Sequence, residues 1–497
     1  MRRYRVALVA AAATSLVSAG AVAAVMHASA ANSGCSVTYK VTNQWQGGFQ
    51  ADVSFTNLGD PLTSWKLEFD FPAGQAVTQG WNATWSQSAA HVTAANMSWN
   101  GSVGTNGTVS SLGFTGSWTG SNPVPAAFSI NGTACTGSVT SSPTPTPTGS
   151  SPPPPPPGGP APALHVSGNK LVTSAGKTYR LLGVNRASAE FACVQGKGMW
   201  DSSPVDQASV NAMLAWNIHA VRIPLNEDCW LGTFGTPSGA TYQQAVKDYV
   251  NLLVSNGINP IIDLHWTHGA YTGPNSACAD ANATCQKPMP DAEFTPTFWT
   301  QVATMFKGNN AVLFDLFNEP YPDAANNFSN ATAAWTCLRD GGTCANIGYQ
   351  VAGMQSLVNA VRGAGATNVL LVPGLTWTND LTQWLAFKPT DTAGNIVASW
   401  HSYNFNACVT TSCWDSQIGS VAAQVPVQAG EIGQNTCAHD YIDQVMAWAD
   451  AHGVGYTAWT WNPWGCSQGN VLITDYNGTP TDSYGAGYKA HLLTVNP

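Results

Sequence analysis

The sequence predicts a multidomain chain: an all-β sandwich over residues 31–137, then a (β/α)8 TIM barrel over residues 163–497. Three observations predict it. A Pro-, Thr- and Ser-rich tract at 138–162 separates two segments of ordinary composition. The segment before it has short alternating apolar runs broken by turn residues. The segment after it alternates eight β-like runs with helix-like stretches, a pattern that favours a closed barrel over an open doubly wound sheet.

The elements follow in chain order. Met1 to Arg5 is basic, Val6 to Met26 is apolar, and Ala28-Ser-Ala30 supplies small residues for cleavage, so residues 1–30 read as a signal peptide. A membrane anchor is the competing reading, because the run approaches bilayer-spanning length. Its content is mostly Ala, Ser and Gly, which gain little from lipid. A secreted, extracellular protein is therefore expected.

Composition points the same way. Only 9% of the 497 residues are charged, the net charge is −9, and there are 20 Trp. An acidic chain is a poor partner for nucleic acid or an anionic membrane. Indole faces suit the C–H surfaces of a neutral sugar polymer, although most of the tryptophans are expected to fill cores. Twelve cysteines in an exported chain imply disulfides. Cys35 and Cys135 bracket the first domain. Proximity suggests Cys193–Cys229, Cys278–Cys285, Cys337–Cys344, Cys408–Cys413 and Cys437–Cys466.

The first domain carries runs such as Cys35-Ser-Val-Thr-Tyr-Lys-Val and Phe49-Gln-Ala-Asp-Val-Ser-Phe55. It has no acid–base constellation and reads as a binding module. The tract after it, including Pro152 to Pro157, favours extended polyproline geometry and acts as a stiff spacer. In the barrel segment the candidate strands are Tyr179–Val184, Ala220–Leu225, Pro260–His265, Val312–Phe317, Asn368–Pro373, Ile396–Ser402, Val425–Gly430 and Gly455–Trp461. Tyr242–Asn256 and Tyr349–Ala364 are examples of the helices between them. No Gly-rich phosphate loop follows the first strand, which argues against nucleotide binding.

Polar residues at the C-terminal ends of barrel strands face the active site. Phe314-Asp-Leu-Phe-Asn-Glu-Pro320 ends the fourth strand and Val425-Pro-Val-Gln-Ala-Gly-Glu431 the seventh, nearly opposite it. Glycosidic cleavage needs one carboxyl group to protonate the leaving oxygen and another to act at the anomeric carbon. Glu319 and Glu431 are thus the candidate catalytic pair. Arg222 is placed to hold Glu431 ionised, and Asn318 to meet a sugar 2-hydroxyl. His265, His401, Tyr403 and Trp461 end other strands, Trp461 as a sugar platform. Taken singly, each has a bland reading as salt bridge or packing. His265, His268 and His401 raise the possibility of zinc, but no H-E-x-x-H accompanies them, so no metal or cofactor is expected. A nucleophilic serine is disfavoured because no G-x-S-x-G elbow occurs.

These residues give the barrel segment its resemblance to glycoside hydrolase family 5, the large cellulase-containing family. The family pattern of Arg, His, Asn-Glu, His-x-Tyr, Glu and Trp is matched in order by Arg222, His265, Asn318, Glu319, His401, Tyr403, Glu431 and Trp461. The resemblance implies a retaining double displacement with Glu319 as acid/base and Glu431 as nucleophile. The first domain resembles a family 2 cellulose-binding module through Val41-Thr-Asn-Gln-Trp45, Val77-Thr-Gln-Gly-Trp81, Asn96-Met-Ser-Trp-Asn-Gly101 and Asn131-Gly-Thr-Ala-Cys135. That implies a ligand platform of Trp45, Trp81 and Trp99; Trp65, in the strand-like Ser-Trp-Lys-Leu-Glu-Phe, reads as core, and nothing places Trp85 or Trp118.

The sequence departs from the family at Ile432, where many members have an aromatic residue, and in the loop carrying Glu190, Cys193 and Trp200. The expected activity is an endo-β-1,4-glucanase acting as a monomer on cell-wall polysaccharide. Mannanase, xyloglucanase, exo-glucosidase and disaccharide-releasing specificities stay open. A barrel that only binds polysaccharide is the rival from another class, and the intact Glu319 and Glu431 argue against it.

Overall fold

A computed structural model describes residues 34–45, 47–119, 121–140, 159–466 and 470–495. Residues 1–30, read from sequence as a signal peptide, and residues 141–158 of the tract read as a spacer lie outside the described residues. The chain divides into two compact units at Ser150/Ser151.

The first unit is a sandwich of two five-stranded sheets. One contains Cys35–Trp45, Gly48–Asn57, Ala76–Trp81, Thr108–Ser117 and Thr136–Thr140; the other contains Lys66–Asp70, Thr84–Ser88, His91–Ala95, Phe128–Ile130 and Thr133–Ala134. Alternation along Gly48–Asn57 sends Phe49, Ala51, Val53 and Phe55 inward, as period-two patterning dictates. They meet Tyr39, Phe69, Phe71 and Phe114 in an aromatic core. Thr136–Thr140 pairs in parallel with Cys35–Trp45, so the folded strand continues three residues into the tract read as linker. The Cys35–Cys135 disulfide ties the two ends together. Closing a loop of this size removes about 4–5 kcal/mol of unfolded-state entropy in the chain-entropy account.

The second unit is a closed parallel barrel of eight strands. They are β1 (Leu182–Asn185), β2 (Ala220–Asn226), β3 (Asn259–Trp266), β4 (Leu313–Asp315), β5 (Leu370–Pro373), β6 (Ile396–Tyr403), β7 (Val427–Gly433) and β8 (Gly455–Ala458). All eight expected strands occur, in the expected order. Of the two helices named from sequence, one spans Ala240–Ser255. The other begins only at Met354, because Gln350–Ala352 pairs as a strand with Gly341–Thr343. All five cysteine pairs suggested by proximity are bonded, as are Cys35 and Cys135, which bracket the first domain.

The barrel interior changes character along its axis. At the N-terminal end Leu181, Ala220, Ile261, Leu313, Leu371 and Val397 pack with Leu164 and Leu171 of the hairpin Leu164–Ser167/Lys170–Thr173, which plugs the bottom. Two residues further along the same strands come Arg222, Asp263, Asp315 and Ser399, all buried. A period of two therefore carries each strand from an apolar floor to a polar mouth.

The register shifts at His265 of β3, and on β7 such a shift re-aims a side chain. On β7 the register against β6 shifts, with Trp400 opposite Ala429 and His401 opposite Glu431, so Gly430 is an extra residue. Ala429 and Ile432 both pack outward into the barrel–helix core. Without the bulge Glu431 would lie on the outer face. The bulge at Gly430 turns it into the mouth, the re-aiming of a side chain that bulges commonly perform.

Candidate active site

Arg222 is the hub of the mouth. It is fully buried, and its guanidinium fork reaches four strands. Nη1 donates to Glu431 Oε1 at 2.8 Å and to Asn185 Oδ1 at 3.0 Å; Nη2 donates to Asn318 Oδ1 at 2.9 Å; Nε donates to Asp315 Oδ2 at 2.9 Å. Nη2 also stands 3.0 Å from Asp263 Oδ1. Burial opposes the charge on Arg222, but Asp263, Asp315 and Glu431 outweigh it and hold the guanidinium protonated. Burial pushes the Asp263 carboxyl up to about 7 and that of Asp315 up to about 8, with Arg222 pulling both the other way. One cation cannot neutralise three carboxylates, and protons on the inner pair relieve the excess.

Glu431 is gripped on both oxygens. Oε1 faces Arg222, and Oε2 accepts the Tyr403 hydroxyl at 2.6 Å. A Cβ on Gly433 would lie 2.6 Å from the Tyr403 ring, so only glycine lets that ring reach the carboxylate. Glu319, whose side chain keeps 17% of its surface exposed, is held differently. Its Oε1 shares a 2.9 Å hydrogen bond with His401 Nδ1, and its Oε2 accepts from Gln286 Nε2 at 3.2 Å. Burial raises the Glu319 carboxyl above its ordinary value, against smaller pulls from His265, Gln286 and Arg222. His401 is fully buried and its pKa falls to about 3 through burial, so it is neutral at ordinary pH. The two glutamates thus sit in contrasting environments, one paired with a permanent cation and one beside a neutral ring.

A carboxylate oxygen from each of Glu319 and Glu431 and a ring nitrogen of His401 lie within 4.8 Å of one another. Among the described residues this is the one acid/His cluster so close, and His265 and His268 are outside it. His265 instead bonds Asp263 Oδ2 at 2.6 Å, and His268 faces Asp228 at 3.4 Å. The positive charge beside Glu431 is Arg222, which occupies the electrostatic role a cation would take.

The sequence expectation for Trp461 needs correction. Its indole is fully buried and packs edge-on against Trp216 at 4.9 Å, so it offers no face to a ligand. Trp459, two residues earlier, is half-buried and stacks parallel to His265 at 5.7 Å. Both are Trp in one Ala-Trp-Thr-Trp run, and the end of β8 at Ala458 decides which reaches the mouth. The other named residues Arg222, His265, Asn318, His401 and Tyr403 come together around Glu319 and Glu431. Ile432 is fully buried on the outer face of β7, so this departure from the family pattern does not touch the cleft. Asp263, Asp315, Asn185 and Gln286 were not singled out from sequence. The first two were legible as charged residues inside otherwise apolar strands; Gln286 lies in a loop and carried no signal.

In the sandwich, Trp99 is 68% exposed and Trp81 is half-buried with its ring over Gly113, where a Cβ would come within 2.4 Å. The backbone of Trp45 pairs with Gly48, while its side chain lies outside the described residues. Trp65 is core, as expected, with Nε1 donating to Asn100 O at 2.7 Å. Trp85 packs on Phe114, and Trp118 donates to Gly48 O.

A barrel mouth holding two close, differently supported carboxyl groups, on a chain that also carries a separate β-sandwich, defines a modular glycoside hydrolase. The family model for cellulase (glycosyl hydrolase family 5) matches residues 175–465, more than half the chain, and the chain belongs to that family. Residues 35–135 match the cellulose binding domain family. The chain is 29% identical to endoglucanase CelA of Streptomyces lividans over 94% of this chain and 93% of that one. A cellulose/chitin binding protein of Mycobacterium bovis is 38% identical over 27% of this chain and 92% of its own length. The solved structure of a β-glucanase from Saccharophagus degradans shares the barrel fold, with a TM-score of 0.52 and 22% identity over 68% of this chain and 94% of that one.

Proposed function

We propose that this protein is an exported, retaining endo-β-1,4-glucanase that works as a monomer, with Glu319 as acid/base and Glu431 as nucleophile. One observation carries the roles. The two carboxyl groups approach within 4.8 Å, yet Glu431 is paired with Arg222 and Tyr403 whereas half-buried Glu319 lies beside neutral His401. Such closeness matches the separation of about 5–5.5 Å in retaining pairs and falls short of the roughly 6.5–9.5 Å at which inverting pairs admit a water beside the sugar. Glu431 attacks C1 while Glu319 gives its proton to the departing oxygen, and a glycosyl ester forms on Glu431. Glu319, now ionised, takes a proton from the water that hydrolyses that ester.

Arg222 and Tyr403 orient the nucleophile, and Asn318, its Oδ1 bound to Arg222, presents its amide nitrogen to the 2-hydroxyl of the same sugar. Trp459, over His265, replaces Trp461 as the platform for that ring. The substrate class rests on the cellulose binding domain and on likeness to an endoglucanase. Hydrolysis of carboxymethylcellulose, xyloglucan, glucomannan and laminarin tests it. Carboxymethylcellulose is expected to be cut fastest, with β-configured new ends in the first NMR spectra. Initial α-anomers reject retention, and a faster rate on glucomannan rejects the cellulase reading. Export follows from residues 1–30; among the described residues no helix is long and apolar enough to cross a membrane.

The sandwich is proposed to hold the enzyme on cellulose through Trp45, Trp81 and Trp99, with the tract at 138–162 as spacer. Trp81→Ala with Trp99→Ala is expected to abolish retention on insoluble cellulose while changing turnover of soluble substrate less than twofold, because a tether acts through effective concentration. Pull-down and soluble assays on the same preparation check both halves.

A further inference from the structure

We infer that Phe405 is the platform for the sugar ring on the leaving-group side of the cleaved bond, an inference that rests on the β-1,4-glucanase reading. Phe405 is 63% exposed, an unusual state for a large apolar ring. Its ring stacks on Tyr403 with centroids 5.1 Å apart and planes within 19°. Tyr403 in turn touches Glu431 at 2.6 Å. The exposed face is therefore one aromatic ring removed from the nucleophile.

The turn that presents it is tightly held. Tyr403 N–H donates to Asn406 Oδ1 at 2.6 Å, and Asn406 N–H donates back to Tyr403 O at 3.0 Å. Asn404 and Asn435 exchange two hydrogen bonds, at 2.9 and 3.0 Å, which link the β6 and β7 loops. Just beyond, Cys408 N–H donates to Asn379 Oδ1 at 2.8 Å, and Cys408 is bonded to Cys413. An exposed ring on a braced turn is pre-organised for stacking, since its ordering entropy is spent in folding.

Position assigns the side. A line from Glu319 on the β4 loop to Glu431 on β7 leaves β5 and β6 on one flank and β8, β1, β2 and β3 on the other. Asn318 is bound to Arg222 of β2, and Trp459 lies over His265 of β3, so the ring attacked by Glu431 belongs to that second flank. A linear glycan crossing between the glutamates then continues over β6, where Tyr403 and Phe405 stand. Its leaving-group ring has apolar C–H faces that match the phenyl face.

The test compares cellotetraose with β-cellobiosyl fluoride, whose leaving group is a single atom and places no sugar on Phe405. In Phe405→Ala, kcat/KM for cellotetraose is expected to fall about tenfold, the size of one stacking contact, while that for the fluoride changes less than twofold. Phe405→Trp is expected to restore the cellotetraose value. Equal losses on both substrates overturn the leaving-group assignment, and no loss on either overturns the platform. Because the side chain is exposed, an unchanged melting temperature is expected. Wild-type protein inert on both substrates overturns the glucanase reading and this inference with it.

Discussion

Glu431→Ala is expected to lower turnover about 10⁶-fold on every glycoside, activated or not, the scale of loss when a covalent nucleophile is removed. The reason is positional. The bulge at Gly430 brings this carboxylate into the mouth, and Arg222 and Tyr403 fix both oxygens, so no other group stands where C1 must be attacked. Glu319→Ala is expected to behave differently. Loss of a general acid costs about 10²–10⁴-fold for a sugar leaving group, but little in the first step for dinitrophenolate, which departs without a proton. Azide distinguishes the two. In Glu431→Ala it fills the vacated space and attacks C1 directly, giving an α-glycosyl azide. In Glu319→Ala it intercepts the glycosyl-enzyme and gives the β-azide. The reverse pattern of azide anomers would exchange the two roles.

Arg222→Met has the second largest expected effect, on stability and activity together. Removing one partner of a buried ion pair costs about 3–5 kcal/mol, because the charges left behind lack compensation. Here three carboxyl groups lose the same partner. The loss is expected to depend on pH, with a definite sign. Asp263 and Asp315 have folded pKa values raised from 3.8 to about 7 and about 8, so each binds protons more readily folded than unfolded. Their contribution to stability is fully present below about 4 and declines as pH rises through 7–8. Arg222 opposes that rise, and without it both values climb further. The variant should therefore lose most relative to wild type near pH 8 and least near pH 4, as thermal melts at the two pH values will show. An equal deficit at both would mean that the guanidinium acts by packing alone. Turnover is expected to fall roughly 10²–10³-fold, as for loss of a pre-organised electrostatic contact. Arg222→Lys should recover little of it, since an ammonium cannot reproduce the fork to Glu431, Asn318 and Asp315.

Much of this site was legible because barrel strands expose the residues at their C-terminal ends. His265, Asn318, Glu319, His401, Tyr403 and Glu431 could be collected from strand ends without knowing a single distance, Arg222 from its charge inside an apolar strand, and five of the six disulfide pairs from proximity along the chain. That inference uses only local periodicity and the fixed polarity of a parallel barrel. What it cannot supply is the facing of a residue where the period breaks. Strict alternation from Gln428 would point Glu431 outward; only pairing with β6 shows the extra residue at Gly430. The same limit applies just past β8, where Trp459 and Trp461 are two residues apart in one short motif and the chain has left the sheet. Packing against Trp216 buries one ring, and the space beside His265 takes the other. The sequence determined which strand ends carry the chemistry, because that depends on neighbours along the chain. The tertiary structure decided which side chains face the sugar and how the inner carboxyl groups share one guanidinium, because those depend on neighbours in space.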